Sequence, residues 1–201
     1  VESYPDLDEK PLQMQIYDLA YDDYLGRIGI GRVYQGTLED GQQVEVYKRD
    51  GSTEKGKITK LSVYEGLKQN AVEETHSGEI VSIAGIPDIS IGETVCEVGK
   101  VDPLPMIEIA EPTLAMYFLV NDSPFAGLEG DYLTTRHLKA RLDRELEVNV
   151  GLRVEKAENT EAFKVSGRGE LHLSILLENM RREGYEVSVS KPEVLMKEID
   201  G

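Results

Sequence analysis

The sequence predicts a two-domain chain, in which an all-β barrel is followed by an α+β domain with the element order β-α-β-β-α-β. Three observations support this prediction. Before residue 102, short runs of β-forming residues alternate with glycine-containing turns. Pro103 and Pro105 then restrict the backbone to extended conformations, as in a linker. Beyond these prolines, apolar residues recur with the period of a helix, and strand-like runs separate the helical segments.

The first domain is predicted to consist of short strands. Residues 14–17, 32–35, 44–47 and 58–61 are rich in side chains that favour strands. Many such runs at close spacing indicate a closed barrel or a sandwich, and we expect a barrel that closes around residues 94–98. An Asp-Gly pair between two runs favours a hairpin, because both residues tolerate the positive φ of a tight turn. The turn signals are Gly26, Asp40-Gly41, Asp50-Gly51, Gly66, Gly78 and Gly92.

The second domain is predicted to contain two helices and four strands. Apolar side chains spaced three or four residues apart mark one face of each helix. These residues are Leu138, Leu142 and Leu146 in the first helix and Leu173, Leu176, Leu177 and Met180 in the second, which Gly184 ends. The strands are expected at residues 113–120, 150–154, 162–165 and 185–189. This order of elements is the ferredoxin-like arrangement.

The predicted elements divide the chain into five segments. They are an N-terminal linker (1–9), the barrel (10–102), a second linker (103–110), the ferredoxin-like domain (111–191) and the start of a link to a further domain (192–201). The chain begins with Val1 rather than Met, and its first residues lack the basic and apolar regions of a signal peptide. We therefore expect it to be part of a longer protein.

Composition restricts the classes of partner. The formal net charge is −16 at pH 7, so bulk attraction to nucleic acid is absent and any contact with RNA has to come from a local patch. Binding to DNA is not expected. No apolar run approaches the roughly 18 residues that span a bilayer, so no membrane partner is expected. The single cysteine, Cys96, indicates a reducing, cytosolic setting and is predicted to be a small buried side chain.

Several motifs suggest chemistry but lack its full pattern. Residues 51–58 (GSTEKGKI) nearly match a phosphate-binding loop, yet Ile58 replaces the hydroxyl residue and a β-patterned run follows. Residues 26–31 (GRIGIG) lack the glycine spacing of a dinucleotide loop, and a barrel corner explains them better. No nucleophile with a neighbouring base can be identified.

Histidines are the remaining candidates for a site. They are far apart in the sequence and are not accompanied by a cysteine pair, whereas metal ligands cluster at characteristic spacing. The three positions are His76, His137 and His172. We therefore assign no catalytic, cofactor-binding or metal-binding residue, and each histidine is interpreted as a surface or packing residue.

A resemblance to a known family rests on longer strings. Residues 166–184 (SGRGELHLSILLENMRREG) resemble the third domain of the BipA/TypA translational GTPases and, more distantly, elongation factor G. Residues 131–139 (DYLTTRHLK) and 141–146 (RLDREL) are similar to the same family. Residues 31–38 (GRVYQGTL) and 77–86 (SGEIVSIAGI) resemble the β-barrel second domain that translational GTPases share.

The resemblance implies a barrel of the translation-factor type and a ribosome-associated parent protein. It implies that GTP and Mg²⁺ bind in a GTPase domain that this chain lacks, so that the chain itself is non-catalytic and holds no cofactor. By the same resemblance, the parent is cytoplasmic, binds rRNA and ribosomal proteins, and acts in translation under stress and in ribosome assembly. The alternative is a protein-interaction module without direct RNA contact, which the acidic composition favours.

Basic residues in the second domain are the candidates for rRNA contact. Arg136, Lys139, Arg141 and Arg144 crowd the first helix, and Arg168 lies on a glycine turn where its guanidinium can reach a phosphate.

A purely structural interpretation of the helix cluster remains open. Lys139 and Asp143, like Arg141 and Glu145, are spaced four residues apart, as in the ion pairs of a solvated helix.

Overall fold

Two units follow one another along the chain in the computed structural model, Val1–Glu108 and Ile109–Gly201. The structure describes residues 3–158 and 160–197. The division between the units lies within the segment 103–110 that the sequence assigns to a linker. In the described part of the chain, no helix is both long enough and apolar enough to cross a membrane.

The first unit is built from antiparallel strands. Its described strands are β1 (Gln13–Asp22), β2 (Gly26–Gln35), β3 (Leu38–Glu39), β4 (Gln43–Tyr47), β5 (Thr53–Lys57), β6 (Lys60–Glu65), β7 (Lys68–Ala71), β8 (Glu74–Thr75), β9 (Ile80–Ala84) and β10 (Thr94–Glu97). Eight of them form one sheet in the order β5-β4-β10-β1-β2-β9-β6-β7, and β3 pairs with β8. The strand β10, within the predicted closing segment, joins β1 to β4. The unit is the all-β barrel that the sequence predicts.

Alternating side chains build the barrel core. On β4, Val44 and Val46 are fully buried, while the polar residues between and beside them are at least partly exposed. This period of two is what places one face of each strand inside. Cys96 is also fully buried, as predicted, and burial raises the pKa of its thiol.

The Asp-Gly turns have two different outcomes. Gly51 has φ 85°, and the turn at Asp50 joins β4 to β5 as the predicted hairpin. Gly41 has φ 77°, but β3 and β4 do not pair with each other. The hairpin prediction at Asp40-Gly41 is therefore wrong, because β4 leaves this turn to pair with β5 and β10.

Residues from the predicted N-terminal linker contact the barrel. The Asp8 carboxylate accepts a hydrogen bond from the Ser77 backbone N–H at 2.8 Å and lies 2.8 Å from His76 Nδ1. These hydrogen bonds hold the pKa of Asp8 below its usual value, and the bond from the Ser77 backbone has the largest effect. The segment around Asp8 is thus tied to the barrel rather than separate from it.

The first part of the second predicted linker is also held by the barrel. Gln15 Nε2 donates to the carbonyl of Pro105 at 2.8 Å, and Arg49 Nη2 donates to the carbonyl of Ile107 at 2.7 Å. The carbonyl oxygens of extended backbone next to proline are not paired within a sheet and need other hydrogen-bond donors. Here the donors are polar side chains of β1 and of the residues after β4.

The second unit has the predicted β-α-β-β-α-β order and one further strand. Its elements are β11 (Leu114–Val120), α1 (Thr135–Leu146), β12 (Arg153–Lys156), β13 (Phe163–Gly167), α2 (Glu170–Arg182), β14 (Val187–Val189) and β15 (Glu193–Val194). The sheet order is β12-β13-β11-β14, and β15 pairs with β11. The strand β15 lies beyond residue 191, where the sequence places the end of the domain.

The predicted helix faces form the core of this unit. Leu138 and Leu142 of α1 pack with four apolar residues of α2 and with Phe118 and Val165 of the sheet. Leu146 is only partly buried and packs against this cluster. The four residues of α2 are Leu173, Leu176, Leu177 and Met180.

Three strand predictions need correction at their bounds, and one of them, 185–189, becomes a strand only from Val187. The run 150–154 becomes a strand only from Arg153, because Leu152 is buried in the turn before β12. The run 58–61 spans a break between β5 and β6, where the Thr59 N–H donates to the Ala84 carbonyl at 2.9 Å. In these two runs, a buried apolar residue that lies outside any strand, Leu152 or Ile58, completes a pattern that resembles a strand.

Candidate functional site

Arg168 occupies the turn between β13 and α2. Its backbone N–H donates to Nδ1 of His172 at 3.2 Å, and its carbonyl accepts from Thr113 Oγ1 at 2.7 Å. The side chain is exposed. Among residues 3–158 and 160–197, the guanidinium has no ion-pair or hydrogen-bond partner. The turn therefore presents an uncommitted cation on a backbone that is fixed on both sides.

His172 holds this turn from the first turn of α2. Its Nε2 lies 2.9 Å from the side-chain amide nitrogen of Asn149. Partial burial, and then the positive charge of Arg168, lower the pKa of His172. The lowered pKa favours the neutral ring, and in the tautomer with its proton on Nε2 the Nδ1 atom accepts the Arg168 N–H, while Nε2–H meets the Asn149 amide in the flipped orientation, through its oxygen. His172 is thus a packing residue, as predicted, with a specific structural partner.

The basic residues of α1 fall into two groups. Arg136 and Arg144 are exposed and lie about two helical turns apart. Lys139 is also exposed, but its ammonium lies 2.5 Å from the Asp143 carboxylate, in the predicted pair. An exposed pair of this kind contributes little stability, so Lys139 can exchange Asp143 for another anion.

Arg141 has to be removed from the contact candidates. Its side chain is 9% exposed, and its Nε and Nη1 lie 2.5 Å and 2.8 Å from the carboxylates of Glu183 and Glu145, respectively. A guanidinium that is buried between two carboxylates is not available to a phosphate. The pair with Glu145 was foreseen from the spacing, whereas Glu183 follows α2 and only the fold brings it to α1.

The glycine-rich segments of the barrel have structural roles. Residues 53–57 of the near-match to a phosphate loop form β5, where a phosphate loop would begin a helix. Residues 26–31 lie in β2, and a Cβ at Gly31 would overlap the backbone carbonyl of Gln15. In the second segment, the glycine therefore allows β2 to approach β1 closely, as expected for a barrel corner.

The other two histidines also have local partners. His76 lies against Asp8, and the His137 ring packs edge-on against Tyr132 at 5.2 Å between centroids. Within the described ranges, no three His, Cys, Asp or Glu side chains form a group that could hold a metal ion.

One feature near the helices was missed from the sequence. The carboxylate of Glu186 accepts hydrogen bonds from backbone N–H groups of the segment between β11 and α1. These hydrogen bonds lower the pKa of Glu186, and the bond from Gly127 has the largest effect. The only sequence signal for such a loop is the cluster of glycines at 127 and 130, and nothing in it identifies a partner 56 residues away.

Comparisons with known proteins match both units. The family model for elongation factor Tu domain 2 matches residues 26–96, and that for elongation factor G domain III matches residues 133–191. A crystal structure of a protein from Thermus thermophilus aligns over 93% of this chain and 26% of its own, with a TM-score of 0.66. Its sequence identity is 21%, so it supports the fold alone.

Relatives with higher identity cover nearly the whole chain. The large ribosomal subunit assembly factor BipA of Bacillus subtilis is 56% identical over 96% of this chain, and that of Escherichia coli K12 is 48% identical over 98%. The chain spans about a third of the length of these curated relatives, 32% and 33% respectively. With the two domain matches, these identities show that the chain belongs to the BipA/TypA family and comprises the domains of that family that match elongation factor Tu domain 2 and elongation factor G domain III.

Proposed function

We propose that this chain is the non-catalytic, ribosome-docking part of a longer GTP-dependent protein that assists assembly of the large ribosomal subunit. The observation that supports this most strongly is the 56% identity, over 96% of the chain, to a relative named as a large-subunit assembly factor. GTP and Mg²⁺ would bind in the remaining two thirds of the protein. A cytoplasmic location and a role in translation under stress belong to the same proposal.

The proposed rRNA contacts are exposed cations of the second unit. Arg168 is the first candidate, since its guanidinium is uncommitted and its backbone is fixed by Thr113 and His172. Arg136, Arg144 and Lys139 of α1 are further candidates. The ordered backbone matters because only the Arg168 side chain then has to lose conformational entropy when it forms a bidentate contact with a phosphate.

The fixed turn also predicts where specificity would come from. Phosphate contacts position a protein on RNA but carry no sequence information. A few cations on an acidic chain favour docking at one defined geometry over general attraction to RNA. The proposal is therefore docking on a folded ribosomal particle rather than binding to free RNA.

Co-sedimentation of the full-length protein with purified ribosomal particles tests the proposal. Association should require GTP or a non-hydrolysable analogue, and Arg168→Ala should weaken it. Arg182→Ala is the matched control, because Arg182 is an exposed arginine of the same unit that lies at the far end of α2 from Arg168. Absence of association with either nucleotide would refute the proposed function, and equal weakening by both substitutions would refute the role of Arg168.

A docking module that contacts only protein is the second candidate. The exposed apolar side chains Phe125 and Leu128 favour it. Footprinting of rRNA separates the two possibilities, because a module that contacts only protein leaves riboses and bases unprotected beside the second unit.

A further inference from the structure

The segment 121–131, between β11 and α1, has a backbone that is held by one buried side chain. Glu186 is 8% exposed and precedes β14. Its Oε1 accepts hydrogen bonds from the N–H groups of Glu129 at 2.6 Å and Gly130 at 2.9 Å, and its Oε2 accepts one from Gly127 at 2.9 Å. A carboxylate that accepts several backbone N–H groups fixes a loop through strong, charge-assisted bonds. We call this segment the clamped loop.

Both ends of the clamped loop are fixed as well. At its start, Asn121 Nδ2 donates to Glu186 Oε2 at 3.3 Å. Immediately after its end, the Tyr132 ring stacks on Tyr185 with 4.6 Å between centroids, and Tyr132 N–H donates to the Gly184 carbonyl at 3.1 Å. The loop is thus tied to the segment that joins α2 to β14, and its conformation is set before any partner arrives.

The clamped loop directs two large apolar side chains into solvent. Phe125 is 72% exposed and Leu128 is 75% exposed. Single exposed apolar residues are common on protein surfaces and need no explanation. Two of them, three positions apart on a loop that a buried carboxylate holds in place, form the anchor arrangement of a protein interface, in which rigid apolar side chains enter pockets of the partner.

The charges around these anchors select the class of partner. Asp122, Glu129 and Asp131 are exposed carboxylates of the clamped loop, and residues 121–131 contain no lysine or arginine. One guanidinium, that of Arg181, lines a groove beside the loop together with Glu129 and Glu186. An acidic rim repels the phosphates of RNA and attracts a protein surface rich in lysine and arginine.

We propose that the clamped loop docks on a basic ribosomal protein, with Phe125 and Leu128 in an apolar pocket that lysine and arginine side chains surround. This inference rests on the proposed function, because it takes the ribosome as the source of the partner. It assigns the clamped loop to protein and leaves the surface around Arg168 to rRNA.

Photo-crosslinking from position 125 tests the partner class directly. The full-length protein carrying p-benzoylphenylalanine in place of Phe125 is bound to purified ribosomal particles with a non-hydrolysable GTP analogue and irradiated. We expect one predominant adduct to a ribosomal protein. An adduct predominantly to rRNA, or no adduct while the protein co-sediments, overturns the inference and leaves the proposed function intact. Failure to co-sediment refutes the proposed function, and the assigned partner with it.

A matched pair of variants tests the energetic role. The double substitution Phe125→Ser and Leu128→Ser should weaken association by at least about tenfold, as expected for two interface anchors, without lowering the melting temperature. Leu67→Ser is the control, because Leu67 is fully exposed on the barrel. Equal affinity of the double variant and the control contradicts the inference. The crosslinking experiment does not depend on these serine variants being folded, because its probe replaces Phe125 with another large, apolar side chain.

Discussion

Replacing Leu176 by alanine should destabilise the second unit by about 2–5 kcal/mol. Leu176 is 3% exposed and lies in the cluster that joins α2 to the sheet. Removing its buried methyl and methylene groups loses about 2 kcal/mol of transfer free energy, at roughly 0.8 kcal/mol per group, and the remaining cavity adds to this. For a domain of this size, each kcal/mol lowers the melting temperature by about 4–8 °C, so a decrease of roughly 10 °C or more is expected.

The neighbouring residue supplies the control. Ile175 is 52% exposed on the opposite side of α2. Ile175→Ala should change the free energy of unfolding by less than about 0.5 kcal/mol, since alanine also favours the helix more than isoleucine does. Thermal melting by circular dichroism measures both variants. Equal destabilisation by the two substitutions would refute the helix orientation on which the placement of Arg168 and His172 depends.

Four further predictions concern binding, pH and domain structure. Arg168→Ala should lower the salt dependence of ribosome association by about 0.7–0.9 in log–log slope, the share of one phosphate contact, and an unchanged slope contradicts that contact. Because the folded pKa of Glu186 is lowered from 4.5, its stabilising contribution is present above pH 4.5 and is lost as the pH falls through the folded value. Glu186→Gln should abolish this pH dependence of the amide chemical shifts that report on the clamped loop, and a wild-type midpoint at or above pH 4.5 would be inconsistent with the clamp. Units 1–108 and 109–201, expressed separately, should each melt cooperatively, and a unit without a transition argues against independent cores. The isolated chain should show no Mg²⁺-dependent binding of labelled GTP at micromolar concentration, and measurable binding would contradict its non-catalytic assignment.

Burial made much of the fold predictable from the sequence. The period of Leu173, Leu176, Leu177 and Met180 is a direct consequence of one helix face packing on the sheet, so it indicates both the helix and its orientation. Short apolar runs carry less information. Leu152 is buried in a turn, and the same burial completes a pattern that resembles a strand.

The candidate site was less predictable, because its contacts are distant in sequence. The exposure of Arg168 follows from its glycine turn, but Thr113, which fixes that turn, lies 55 residues earlier. Arg141 has the spacing of a surface ion pair with Glu145, yet Glu183, 42 residues away, encloses its guanidinium. Such a partner is brought close by helix packing, which a local pattern does not encode.

Electron cryomicroscopy of the full-length protein on a ribosomal particle, with a non-hydrolysable GTP analogue, tests the central claim most directly. We predict that the turn carrying Arg168 faces rRNA, with the guanidinium within about 3.2 Å of a phosphate oxygen. In the same reconstruction, the clamped loop should lie against a ribosomal protein. A complex in which the Arg168 turn points into solvent, or in which residues 109–197 contact no rRNA, would contradict the claim.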